Sequence, residues 1–419
     1  MTSAIWHPFT QHGLGDDIPL INRADGVWLH GRDGRQWIDA ISSWWVTTHG
    51  HCHPRIMAAI RTQSEKLDQL IFAGWTHEPA ETLATELVRI TPDALRHVFF
   101  SDSGSTSVEV ALKMALGSFA NRGIDRHRII VMEHSYHGDT IGTMSVGERG
   151  VYNQAYGPLL FDVDSIPFPT AGQEQVSLDA LERHCASGQA AAFIVEPLIL
   201  GAGGMLVYGP QTLRQMRDIC ARHGVLFIAD EVMTGWGRTG TLFACNQAGI
   251  TPDMMCLSKG LTGGAMPLAV TLATSDIFDA HFSQDRSKAF FHSSSYTANP
   301  VACAAANANL AIWREEPVEE RINALASHQC EALAALACDP RFEHPRQLGT
   351  IAAIDIHTDK AGYLSDLAPR MIRAMRDRNV LLRPLGNTLY VMPPYCITKA
   401  ELTQVYAAMR SALDEITSG

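Results

Sequence analysis

Across residues 90–275 the chain repeats one arrangement: three to five consecutive apolar residues, an abrupt polar or glycine-rich break, then apolar residues spaced by three and four. The runs are Val98-Phe99-Phe100, Ile129-Ile130-Val131, Ala192-Phe193-Ile194-Val195, Val225-Leu226-Phe227-Ile228-Ala229 and Met254-Met255-Cys256-Leu257. Short runs with β-branched and aromatic residues and no polar alternation read as strands buried on both faces. After the first, Val108, Ala111, Leu112, Ala115, Leu116 and Phe119 recur at helical spacing. Strands alternating with helices predict an α/β fold with a mostly parallel, twisted sheet covered on both sides. Beyond residue 300, Ala-rich helical stretches dominate, with short strands expected at Ile351–Ile356 and Leu389–Met392, as in a smaller α+β domain. Residues 1–50 read as an arm plus part of that small domain, with a hairpin turned by Gly31-Arg32-Asp33-Gly34. The expected division is therefore 1–50, a large ligand-binding domain over 51–300, and a C-terminal small domain over 301–419.

A chain of 419 residues has room for two such domains. No apolar run approaches a membrane span. The net charge of −11, with no Lys/Arg cluster, argues against a nucleic-acid partner. Nine dispersed cysteines without a C-x-x-C pair suggest reduced thiols packed in the core. The start MTSAIWHPFTQHG has no basic stretch leading into an apolar one, so a cytoplasmic protein is expected. His49, His51 and His53, with Cys52 among them, would share one side of an extended segment. No fourth ligand or His-Glu-x-x-His helix accompanies them, so a hydrogen-bonded turn is expected there and no metal.

Two of the strand ends carry chemistry. The run ending at Ala229 delivers Asp230-Glu231, and the run ending at Leu257 delivers Ser258-Lys259, followed by Gly260 and Gly263-Gly264. Ligands in open α/β sheets bind at such carboxyl ends. An acid beside an amine suits pyridoxal phosphate: the lysine joins the aldehyde and the acid keeps the ring nitrogen protonated. Taken alone, the same two residues could equally form a structural ion pair. Ser101-Asp102-Ser103-Gly104-Ser105-Thr106 leads into the first helix and offers free amides and hydroxyls to a phosphate, with Thr106 and Glu109 as the expected capping box. Tyr136, at another strand exit, could lie on a ring or fill space. Gly235-Trp236-Gly237-Arg238-Thr239-Gly240 formally matches the dinucleotide fingerprint, but no amphipathic helix follows it directly. No G-x-S-x-G elbow is present.

Together with Tyr136-His137-Gly138 and Tyr296-Thr297-Ala298-Asn299-Pro300, these motifs make the chain resemble the class III aminotransferases over nearly its full length. Trp6-His7-Pro8, Ser42-Ser43-Trp44-Trp45, Leu382-Arg383-Pro384-Leu385-Gly386 and Tyr390-Val391-Met392-Pro393-Pro394-Tyr395 are similar to the biotin-synthesis branch of that family. The resemblance implies a fold-type I architecture, pyridoxal 5′-phosphate as cofactor, and a homodimer with shared active sites. It implies covalent attachment at Lys259, ring-nitrogen contact at Asp230, phosphate binding by Gly104 and Ser105, and ring stacking by Tyr136. Ser293, Ser294 and Ser295 resemble the segment that reaches the partner's cofactor phosphate. Phe9, Trp44, Tyr136, Lys259, Ser293 and Arg383 fall at substrate-lining positions. The implied acceptor is 8-amino-7-oxononanoate, its carboxylate gripped by Arg383 and its chain covered by Trp44. The implied donor is S-adenosylmethionine, which some relatives replace with lysine; a broad ω-aminotransferase would share every cofactor residue. Phe9 stands where the best-known members have tyrosine, Ser294-Ser295 where Pro-Thr or His-Thr is usual, and Leu200 and Ala202 where many class III enzymes carry Gln and Glu.

Overall fold

The computed structural model describes residues 4–15, 17–358 and 366–418. Its centre is a seven-stranded sheet, in spatial order Leu95–Ser101, Ala269–Thr274, Met254–Leu257, Leu226–Asp230, Ala190–Val195, Arg128–Met132 and Asp164–Ile166. The neighbours from Met254–Leu257 to Asp164–Ile166 are parallel. Ala269–Thr274 runs antiparallel to both of its neighbours. Every residue of Ala190–Val195 and Met254–Leu257 is buried, as unbroken apolar runs require when helices cover both faces.

Helices cover both faces of this sheet. Gly104–Asn121 packs Val108, Ala111, Leu112, Ala115 and Phe119 against Ile129, Ile194 and Ile228. Its cap differs from the expected one: Ser103 is the N-cap and exchanges hydrogen bonds with Thr106. Glu109 instead accepts from the Gly142 amide at 2.9 Å and the Thr140 hydroxyl at 2.6 Å, tying the helix to the 140–142 loop.

The expected hairpin forms between Trp28–Gly31 and Gln36–Asp39, and Ile351–Ile356 pairs with Thr388–Val391. A third strand of that small sheet, Phe342–Leu348, lay outside the sequence reading; Pro345 and an irregularity between Glu343 and Arg346 disguise an edge strand. Val380–Leu381 pairs in parallel with Gln36–Asp39, so the first fifty residues are stitched to the last hundred. The helices Val318–Leu336 and Lys399–Ser418 pack a second core around Ile354, Leu389 and Val405. All nine cysteines are free thiols, but Cys52, Cys330 and Cys338 are exposed rather than packed in the core. No described helix is long and apolar enough to cross a membrane.

Candidate active site

Strand alternation sends the two carboxylates after Ala229 in opposite directions. Glu231 turns inward, where it accepts hydrogen bonds from the amides of Ala244 and Cys245 at 3.0 and 2.8 Å and so anchors a short helix. Asp230 faces the carboxyl edge of the sheet. Its Oδ2 lies 2.7 Å from His137 Nδ1, and its Oδ1 accepts from the Val232 amide at 3.1 Å. Asp230 is 4 % exposed, so its charge is screened little.

Lys259 leaves the neighbouring strand in a tight turn, Lys259–Thr262, with φ 46° in the left-handed region. A side chain there is strained and persists only where its surroundings over-determine it. Its Nζ sits 4.6 Å from the centre of the Trp45 ring. Among the described residues no ion pair joins it to Asp230, whose carboxylate lies against His137 instead. The two residues thus do not form the structural ion pair that the sequence left open. Burial pushes the Lys259 ammonium down to about 8, with Asp230 and Glu196 opposing the shift and Arg238 adding to it. Trp45 is held by its indole N–H donating to the Tyr390 hydroxyl at 2.9 Å. The segment carrying it is itself unusual: Ser42, Ser43 and Trp45 have φ of 53°, 59° and 66°, fixed by the Asp39 carboxylate accepting from the Ile41 and Ser43 amides.

Glu196, at a third strand end, was absent from the predicted site. Its carboxylate accepts from the Tyr136 amide and from the Gly201 amide, both at 3.0 Å, so it fixes the segment that carries Tyr136. Burial, reinforced by the charge of Asp230, pushes Glu196 up to about 7. The Tyr136 hydroxyl is held firmly neutral by burial and by nearby Asp139. Gly138, with φ 132°, brings its backbone against Ser105; a Cβ there would fall 2.0 Å from the Ser105 hydroxyl. The Tyr136–Gly138 segment and the helix N-terminus therefore meet, and the Asp139 amide donates to Ser105 Oγ at 3.3 Å.

Phe9, Trp44 and Arg383 come together although they are far apart in sequence. The Arg383 guanidinium carbon is 5.3 Å from the Trp44 ring centre and 6.0 Å from that of Phe9, and its Nη2 donates to the Phe9 carbonyl at 3.2 Å. Phe9 contacts Trp44 and Tyr152 with ring centres 5.4 and 6.1 Å apart. Among the described residues Arg383 has no carboxylate partner within ion-pair distance. Tyr152, Tyr136, Asp139 and Ala202 also line a cavity of about 200 Å³.

Ser293, Ser294 and Ser295 are placed differently. Ser293 and Ser294 bond within their own loop and to Thr297, and the Ser295 carbonyl accepts from Gln69. None of these partners is Asp230, His137 or Lys259 of the same chain. The three histidines of residues 49–53 have three different partners, Asn309, Asp39 and Glu316. Gly235–Gly240 forms turns that carry Arg238, almost fully buried and donating to the carbonyls of Thr47 and Pro393. The helix after it starts only at Ala244.

The residues fit pyridoxal phosphate. The 18-residue helix begins at Gly104 with amides that its capping box leaves unused, and its dipole favours a phosphate there. His137 Nε2 is buried without a hydrogen-bond partner, on the ring whose other nitrogen contacts Asp230. An amine with a lowered pKa completes the set.

A twisted sheet with a lysine, an acid and a helix N-terminus at one edge describes a class, and comparison with known proteins gives the same one. Residues 14–413 match the family described as aminotransferase class-III, and the chain belongs to it. It is 48% identical to the adenosylmethionine-8-amino-7-oxononanoate aminotransferase of Synechococcus elongatus, over 98% of this chain and 99% of that one. The enzyme of the same name from Mycobacterium leprae is 39% identical, over 97% of this chain and 94% of its own. Among solved structures, that of the Methanocaldococcus jannaschii enzyme of this name aligns with a TM-score of 0.94 at 33% identity, covering 98% and 97% of the two chains. A PLP-bound amine transaminase from an uncultivated Pseudomonas species aligns at 0.93 and 31%, covering 99% of each. The architecture is fold-type I.

Proposed function

We propose that this chain transfers an amino group to 8-amino-7-oxononanoate, giving 7,8-diaminononanoate in biotin synthesis, with S-adenosylmethionine as donor and pyridoxal phosphate as cofactor. One observation carries the reading: a buried lysine amine, free of any ion pair among the described residues and lowered to about 8, stands one strand from a buried carboxylate held by a histidine. The substrate follows from the names of the relatives together with the Phe9, Trp44 and Arg383 cluster.

Gly104 and Ser105 would hold the cofactor phosphate, Tyr136 would cover the ring, Asp230 would meet the ring nitrogen, and Lys259 would hold the aldehyde carbon. The cofactor, once bound, supplies an electron sink for the carbon that loses its proton. Lys259 Nζ takes that proton from the carbon bearing the donor amine and later returns one, serving as base and then as acid. Asp230 keeps a proton at the ring nitrogen, and His137 fixes the orientation of the carboxylate. Glu196 holds the Tyr136 backbone in place. On the acceptor side, Arg383 offers a planar fork to the distal carboxylate and Trp44 covers the aliphatic chain. Leu200 and Ala202, where many class III enzymes carry Gln and Glu, offer no carboxylate to neutralise a guanidinium.

The working unit in this proposal is a cytoplasmic homodimer, with Ser293–Ser295 reaching the partner's phosphate site. Exposed Ile71, Trp75, Phe291 and Tyr296 support it. They lie on two segments joined by hydrogen bonds from Gln69 to Ser295 and from Asn299 to Asp68, and apolar exposure on that scale marks an interface. The nine free thiols suit a reducing compartment.

The test is a spectral half-reaction on the purified, reconstituted protein. S-adenosylmethionine should convert the cofactor to its amine form, and adding 8-amino-7-oxononanoate should reverse the change with diamine product formed. Conversion by lysine alone would reassign the donor, and equal turnover of simple amino acceptors would reassign the enzyme as a broad ω-aminotransferase. Arg383→Ala is expected to raise the KM for 8-amino-7-oxononanoate about thirtyfold while leaving the donor half-reaction near the parent rate, since a charge-assisted fork contributes about 2 kcal/mol. An unchanged acceptor KM in steady-state assays would remove Arg383 from the site.

A further inference from the structure

The turn Lys259–Thr262 is strained at its first residue, so something outside it must hold it. Asn309, fully buried on the helix Pro300–Glu315, lies against it. Its amide Nδ2 donates to the carbonyls of Gly260 and Leu261, each at 3.0 Å, the two residues that follow Lys259. With both amide protons so used, Asn309 Oδ1 faces His49 Nε2 at 2.9 Å and accepts from it. That fixes the tautomer of His49: the proton is on Nε2, and Nδ1 is a buried acceptor without a partner. The imidazole is wedged edge-on against Trp313 and Tyr395, with ring centres 5.8 and 6.1 Å away.

His49 belongs to the same short segment as Trp45, the ring beneath the Lys259 amine. That segment also grips the far end of the turn. The Thr48 amide donates to the Gly263 carbonyl, and Gly264, with φ 89°, packs so closely that a Cβ would fall 2.6 Å from the Val46 carbonyl oxygen. Residues 45–49 thus embrace the lysine turn from both sides, and Asn309 closes the loop between them. Burial pushes the His49 imidazolium down to about 3, so the neutral donor form persists across the working pH range.

We propose that His49 and Asn309 are a positioning pair that holds the Lys259 turn in its strained conformation and so keeps the Lys259 amine over the Trp45 ring. The pair touches neither substrate nor cofactor; it acts through the lysine. This rests on the assignment of Lys259 as the amine that joins the cofactor.

The test compares His49→Leu, His49→Gln and Asn309→Ser with the parent protein. Glutamine retains an N–H donor toward Asn309 that leucine lacks, while serine leaves at most one of the two donors to the turn. Three readouts are taken: kcat and KM, the pH midpoint of Lys259 acylation in the cofactor-free chain mapped by mass spectrometry, and the melting temperature. The groups that set this midpoint are Lys259 itself with Asp230, Glu196 and Arg238 around it. His49→Leu and Asn309→Ser are expected to lower kcat about tenfold with KM little changed and to move the acylation midpoint by about one pH unit, because a displaced amine changes its burial and its charges. His49→Gln should restore both towards the parent. Variants that melt earlier yet keep the parent kcat and midpoint would overturn the pairing. So would a glutamine variant as impaired as leucine, or loss of folding in His49→Leu with an unaltered Asn309→Ser. A parent protein that takes up no pyridoxal phosphate would instead overturn the assignment of Lys259.

Discussion

Lys259→Ala is expected to lower turnover by about 10⁴-fold and to abolish the visible absorbance change that the parent shows on adding pyridoxal phosphate. In the proposed mechanism position 259 carries both the covalent attachment and the proton transfer, and no second lysine lies on the neighbouring strand ends at this edge of the sheet. The parent should show the matching pH dependence. Burial lowers the Lys259 ammonium to about 8. A lowered value means the amine is mostly protonated, and inert as a nucleophile, below that pH and mostly neutral above it. Stopped-flow cofactor capture should therefore quicken about tenfold per pH unit up to about 8 and then level off. A flat profile across that range, or a Lys259→Ala variant that turns over at the parent rate, would refute the assignment. Adding methylamine to the variant should restore part of the proton transfer without restoring covalent attachment, which separates the two tasks.

The sequence revealed Asp230 and Lys259 for a physical reason: a strand buried on both faces is an unbroken apolar run, so the polar residue that ends it stands out. The relation between the strands was not legible in the same way. His137 follows Arg128–Met132, and Asp230 ends a strand separated from it by Ala190–Val195. Only the sheet order brings their side chains to 2.7 Å, and no spacing in the sequence records it. Glu196 is hidden for the same reason, since it accepts from the backbone amides of Tyr136 and Gly201 and backbone contacts leave no side-chain pattern in the sequence. The cap on Gly104–Asn121 shows a different failure. Ser103 with Thr106, and Thr106 with Glu109, both have the right spacing, and local pattern alone cannot choose between them. The choice is made by residues 140–142, which draw Glu109 away. The reversed direction of Ala269–Thr274 did leave a signal. The link from Leu257 holds only the single 3-10 turn Lys259–Thr262 and no α-helix, too little for a parallel crossover.

The Phe9, Trp44 and Arg383 cluster shows where resemblance adds to pattern. No periodicity connects an arm residue with one after a strand near the carboxyl end, yet the parallel pairing of Val380–Leu381 with Gln36–Asp39 carries Arg383 to the start of the chain. The substitution of phenylalanine at position 9 also gains a physical meaning. Its ring packs on Trp44 and Tyr152, and it is its backbone carbonyl that meets the guanidinium, so this contact does not need a side-chain hydroxyl.

Asp230→Asn is expected to retain the cofactor but to lower kcat about 10³-fold, a rise of about 4 kcal/mol in the barrier. Asparagine has nearly the same shape. One oxygen remains to accept a hydrogen bond, from the Val232 amide or from His137, so the fold and the helix N-terminus that would bind phosphate should be undisturbed. What disappears is the negative charge. At 4 % exposure, that charge acts through protein rather than water, where its effect on a ring proton is strongest. Without it a bound cofactor's ring nitrogen would release its proton near neutral pH, and the carbon acid that Lys259 is proposed to deprotonate would be far weaker. The effect should therefore appear in the proton-transfer step itself: single-turnover absorbance with a donor deuterated at the reacting carbon should show a larger isotope effect in the variant than in the parent. A variant with full cofactor content and the parent single-turnover rate would mean that Asp230 only supports the structure. Loss of cofactor together with loss of rate would point to phosphate or ring binding instead.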